Sequence, residues 1–139
     1  MRIDAQLARA VRERAGHACE YCRVPQVGYP ADTFHIDHVV ARQHRGLTRL
    51  KNLALSCLHC NSHKGPNVAS YDPVAGKLTP LFNPRRHRWP RHFRWIGARI
   101  VGRTPIGRVT VAVLDLNGER VLFARELLIV RGILDPASF

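Results

Sequence analysis

The sequence predicts an α+β fold: a small strand–loop–strand–helix unit, preceded by one helix and followed by a β-hairpin plus two helices. Three observations carry this. The four cysteines fall into two identical pairs, Cys19-x-x-Cys22 and Cys57-x-x-Cys60, which bracket two short β-rich runs. Apolar residues before and after that block repeat with helical spacing. Turn residues punctuate the chain at each expected boundary. With 139 residues, we expect one compact unit, of which residues 1–70 form the central domain and residues 71–139 a basic extension packed on it.

The elements follow in order. Asp4 can cap a helix over residues 4–15, in which Leu7, Ala8 and Val11 share a face and Gly16 ends the run. Residues 23–33 hold two prolines and a glycine and read as loop. Residues 34–40 (FHIDHVV) are β-rich, and residues 42–51 are a polar, basic loop. Residues 52–57 read as a second strand, and Leu58 to Lys64 as a helix stopped by Gly65-Pro66. Residues 68–84 are turn-rich, without a predicted element. Residues 93–101 predict a hairpin about Gly97. Thr104-Pro105 opens a helix reaching about Leu116, with Thr as cap and Pro in the first turn. Asn117-Gly118 closes it, and a last helix runs from Glu119 to about Gly132.

Charge narrows the partners. Lys and Arg number 22 against 10 Asp and Glu, a formal net charge of +12, which attracts polyanions. No segment approaches the roughly 18 apolar residues of a membrane span. The N-terminus lacks the apolar stretch and cleavage site of a secretory leader, so the expected location is cytoplasmic. In a reducing compartment, paired C-x-x-C knuckles read as metal ligands rather than disulfides. Four thiolates in a tetrahedron suit Zn²⁺ and leave no open position, so this zinc is expected to be structural.

Between the knuckles lies His35-Ile36-Asp37-His38. In a regular strand, residues 37 and 38 point to opposite sides, so they share a site only where the strand ends or twists. Their chemistry suits phosphodiester cleavage. That reaction needs a base to deprotonate water and positive charge for the developing anion. Histidine, with a reference pKa near 6.5, suits the base, and Asp is a hard oxygen ligand for Mg²⁺ or Mn²⁺. Asn52 and Asn61 add amides, one to orient the imidazole and the other to ligate metal.

These residues, in the strings HIDHVVARQHRG and KNLALSCLHCNSHKG, resemble the HNH endonuclease family. Its pattern is roughly C-x-x-C, D-H, N-L, then C-x-x-C-[HN]-x-x-K, and each part occurs in order over residues 19–65. The resemblance implies a ββα-metal core. It implies His38 as general base, Asp37 as metal-binding acid, and Asn52 as the residue that positions the loop and the base. It implies Asn61 as the final metal ligand, where many members have His. His63 is an alternative ligand, disfavoured because residues 61 and 63 diverge on a helix. The implied reaction is hydrolysis of DNA with one divalent ion, Mg²⁺ or Mn²⁺, with Ni²⁺ also admissible.

Between Asp72 and Asp115 there is no acidic residue, while eight arginines and Lys77 occur there. Arg85, Arg86 and Arg88 are expected to contact the DNA backbone, with His35 and Lys64 as further phosphate contacts. His35 is equally well read as structural. Trp89 and Trp95 are expected in the core rather than as base-stacking platforms. The expected partner is DNA, with no membrane, and the chain acts as a monomer or a homodimer. The rival reading is a catalytically inactive, zinc-containing nucleic-acid-binding module.

Overall fold

The computed structural model of the chain describes residues 3–138. Helix α1 spans Ala5–Arg14. Asp4 caps it, its Oδ1 accepting from the amides of Gln6 at 2.7 Å and Leu7 at 3.3 Å. Gly16 follows in the left-handed region, with φ +63°, and turns the chain into the first cysteine pair. The arginines of α1 hold it to the strands that follow. Arg12 donates to Phe34 O at 3.1 Å, and Arg14 donates to Leu50 O at 2.8 Å and to Leu53 O.

Strands β1 (His35–His38) and β2 (Leu53–Ser56) pair antiparallel, with Asp37 opposite Ala54 and His38 opposite Leu53. Every residue of β2 is buried. Helix α2, Leu58–Lys64, leaves β2 directly, and Gly65 ends it with φ +50°.

The segment expected to be turns alone contains a hairpin. Strands β3 (Ala69–Tyr71) and β4 (Leu78–Pro80) pair antiparallel. Asp72 folds its connection, accepting from Val74 N at 3.2 Å and Ala75 N at 3.3 Å. Arg108 clamps the same carboxylate from the far side through Nε and a terminal nitrogen, at 3.0 and 2.7 Å. That clamp holds Asp72 well below the usual carboxylate range, at about 2.

A one-turn helix α3, Trp89–His92, precedes the expected hairpin of β5 (Phe93–Ile96) and β6 (Arg99–Gly102), which turns at Gly97 with φ +58°. Helix α4, Pro105–Val113, is capped by Thr104, whose hydroxyl accepts from Gly107 N at 3.1 Å. It stops short of Leu116 because Asp115 turns left-handed, with φ +47°. Helix α5 spans Glu119–Val130. No helix is long and apolar enough to cross a membrane among the described residues.

The buried apolar side chains form one cluster running from Val11 to Leu134. Trp89, 2% exposed, lies within it and donates its indole N–H to Tyr21 O at 2.8 Å. Trp95 is half-buried and stacks on Trp89 at 5.4 Å between ring centroids. Truncating a buried aromatic of this kind costs about 3–5 kcal/mol. Glu20 spans the same boundary. Its carboxylate accepts Leu55 N at 2.8 Å and pairs with Arg85, tying the first cysteine pair to both β2 and the basic half.

Candidate active site and metal centres

The four cysteines converge. Their sulfurs lie within 4.8 Å of one another, all buried, and Cys22 Sγ is 3.7 Å from Cys57 Sγ. A tetrahedron with metal–sulfur bonds near 2.3 Å has edges of about 3.8 Å, so the donor set has the dimensions of a metal site. The backbone supports it. Cys22 N points at Cys19 Sγ at 3.5 Å and Cys60 N at Cys57 Sγ at 3.4 Å, each an N–H aimed at a would-be thiolate. The cysteines are free of disulfides.

A second centre forms where β1 ends. Ile36, Asp37, His38, Arg42, Asn61 and Gly65 are among the residues lining one open cleft of about 370 Å³. Asp37 and His38, on opposite sides of a regular strand, reach the same cleft because β1 stops at His38.

Asp37 is 8% exposed, and its Oδ2 is doubly engaged. It accepts from the Tyr21 hydroxyl at 2.8 Å and pairs with Lys64 Nζ at 3.3 Å. Burial pushes the Asp37 carboxyl up, against the lowering effects of Lys64, Tyr21 and His38. Lys64 is 2% exposed and also donates to Val39 O at 3.1 Å. The sequence expectation of Lys64 as a phosphate contact is therefore corrected: it is an internal counter-ion. A similar correction applies to Arg85, whose guanidinium is paired with Glu20 and mostly covered.

The His38 ring is half-buried, with Nε2 2.9 Å from Thr48 Oγ1. Burial lowers its pKa, Asp37 opposes that, and Arg42 and Lys64 add to the lowering. A ring of this kind is largely neutral at pH 7.

The hydrogen bonds of the Asn52 side chain go to the backbone of the loop and not to His38. Its Oδ1 accepts from Val40 N at 2.9 Å, and its Nδ2 donates to Val40 O at 3.0 Å and Leu47 O at 2.9 Å. It clasps the loop between the strands, and the loop delivers Thr48 to His38. Gly46 makes the clasp possible, since a β-carbon there would lie 1.7 Å from Val40 O.

Asn61 lines the His38 cleft, whereas His63 lines another, beside Cys22 and Arg125. His35 is exposed and outside the His38 cleft. Arg86 and Arg88 are exposed. Tyr21, Thr48 and the pairing role of Lys64 had no signal in residue spacing, because each contact spans at least ten residues of chain.

No curated protein and no solved structure matches the chain. A family model described as HNH endonuclease matches residues 19–67, about a third of the chain, from the first cysteine through α2. That stretch holds the four cysteines, Asp37, His38, Asn52 and Asn61, and over it the chain is similar to the HNH endonuclease family.

Proposed function

We propose that the protein is a metal-dependent endonuclease that hydrolyses DNA phosphodiester bonds, with β1, β2 and α2 as its ββα-metal unit. The observation that carries this reading is the meeting of Asp37, His38 and Asn61 in one cleft.

In this reading the cysteines hold a structural Zn²⁺. Asp37 and Asn61 hold the divalent ion of the reaction, Mg²⁺ or Mn²⁺. The fit rests on chemistry: both offer oxygen, which suits hard cations, and the Tyr21 and Lys64 contacts fall on Oδ2, leaving Oδ1 of Asp37. When bound, that ion supplies positive charge to the scissile phosphate and the leaving 3′-oxygen. His38 takes a proton from water as the water oxygen bonds to phosphorus and the P–O3′ bond breaks. In this reading Nε2 donates to the Thr48 hydroxyl, which leaves Nδ1 as the nitrogen that receives the proton. Asn52 acts one step back, by holding the loop that carries Thr48. Arg42 at the cleft, with Arg86 and Arg88, contacts the DNA backbone. Residues 1–70 carry this chemistry and residues 71–139 back it.

Plasmid cleavage tests the reading. Zinc-loaded protein is assayed with Mg²⁺, Mn²⁺ or Ni²⁺ beside His38→Ala. The wild type nicks DNA, and the variant loses about 10²-fold or more in rate while still binding it. Because burial lowers the His38 pKa from 6.5, the rate climbs with pH through a point below the ordinary imidazole value. Cleavage by neither protein with any metal supports the inactive binding module instead, and equal cleavage by both removes His38 from the base role.

A further inference from the structure

A third group of ligating side chains lies away from the His38 cleft. His59 and His63 sit four residues apart on α2, so they share a face, while Asn61 points roughly 200° away from both. Asp115 reaches this face from the turn between α4 and α5. One ligand atom from each of the three lies within 4.8 Å of the others. His63 and Asp115 are exposed and His59 is half-buried.

Several features set this trio apart from a chance surface cluster. His63 Nδ1 is 2.8 Å from His59 O, and a carbonyl can only accept. The proton therefore sits on Nδ1 of the neutral ring, and Nε2 keeps its lone pair. Metal-binding histidines are oriented in this way, by a backbone carbonyl on the other nitrogen. The His59 ring is pinned to the Asp115 turn, Nε2 donating to Asp115 O at 2.8 Å. The two rings lie 4.1 Å apart between centroids, so the helix presents them together. Asp115 sits in the left-handed region at φ +47°, which Asp tolerates better than most residues and which turns its carboxylate-bearing segment off the end of α4. Among the described residues, its carboxylate has no ion pair or side-chain hydrogen bond.

We propose that His59, His63 and Asp115 form a second metal site, for a borderline divalent cation such as Zn²⁺, Ni²⁺ or Co²⁺. Two imidazoles and one carboxylate match that class and not the hard ions. Arg120 and Arg125 line the same cavity as His59 and His63, and the chain carries +12, so the ion is held by direct ligation and not by the protein's field. Three protein ligands leave a fourth position open to water or to a group on a partner. The bound ion joins α2, which carries Cys60, to the α4–α5 turn. This site is independent of the nuclease reading.

The test is calorimetric titration of Ni²⁺ and Co²⁺ into protein whose four-cysteine site already holds zinc, comparing wild type, His63→Ala and Asp115→Asn. Ions bound at the His38 cleft are common to all three proteins and cancel in the comparison. Wild type binds one ion more tightly than either variant, by about tenfold or more. Its melting temperature also rises with added Ni²⁺ by more than theirs. Each variant keeps one zinc per chain and wild-type melting without added ion, which establishes that it is folded. Identical titrations in all three proteins overturn the site. A loss in His63→Ala with none in Asp115→Asn overturns it too, since a histidine pair would then suffice.

Discussion

Lys64 and Asp37 form a buried ion pair at the edge of the cleft, and Lys64→Met isolates what that pairing does. The substitution keeps most of the side-chain volume and removes the charge. With 3.3 Å between Nζ and Oδ2, and an effective dielectric constant near 20, the lost attraction is about 5 kcal/mol. Removing one partner of such a pair costs about 3–5 kcal/mol in practice. The loss depends on pH with a definite sign. Without Lys64, the Asp37 carboxyl, already raised by burial, rises further. A group whose folded pKa lies above its unfolded value favours the fold below the unfolded value, near 3.9, and loses that contribution as pH climbs through the folded value. The variant is therefore much weaker than wild type at pH 7 and closer to it at pH 4. The assay is urea unfolding at both pH values, with zinc retained and no other divalent ion added. A drop of about 3–5 kcal/mol at pH 7, or roughly 10–15 °C in melting temperature for a chain of this size, is the expected result. A difference below about 1 kcal/mol at pH 7, or the same difference at both pH values, refutes the reasoning.

Other perturbations probe the frame. Cys57→Ser should lose its metal and, with it, stabilisation on the order of 10 kcal/mol, read as lost zinc content and lost helical circular dichroism; full zinc content with unchanged melting contradicts the metal-site reading. Arg108→Gln releases Asp72, whose lowered pKa of about 2 stabilises the fold above the unfolded value and is lost as pH falls towards 2. Its acid-unfolding midpoint, followed by tryptophan fluorescence, should move to higher pH, and an unmoved midpoint removes the clamp from the account. Gly46→Ala drives a β-carbon into Val40 O and to within 2.8 Å of Asn52 Nδ2. About 1–3 kcal/mol of stability should go, together with cleavage activity, and a variant matching wild type in both measurements argues against the clasp.

Local chemistry was readable wherever it governed structure. Asp4 and Thr104 cap the helices they were expected to cap, and Gly65 and Gly97 turn where the sequence places them. The β3–β4 hairpin was not readable, because its three-residue strands, ASY and LTP, are too short to alternate and one contains proline. Asp72 and Arg108, 36 residues apart, hold it together. The site divides in the same way. Asp37, His38 and Asn61, which share the cleft, come from short strings whose residue types single them out as candidates. Tyr21, Thr48 and Lys64 acquire their roles only when distant segments meet. The basic half misled for a related reason: a count of arginines does not separate Arg85 and Arg108, used inside the protein, from Arg86 and Arg88, which face water.

The Asn52 clasp bears on how such a protein can change. One amide fastens Val40 to Leu47, so the crest between them, the turn at residues 42–45, hangs outside the fastening. Lengthening that crest is inexpensive, since each doubling of a flexible loop costs only about 0.6 kcal/mol. The pairing of β1 with β2, and with it the seat of His38, stays where it is. Evolution can thus remodel the crest, in length and in charge, while the imidazole behind it keeps its address.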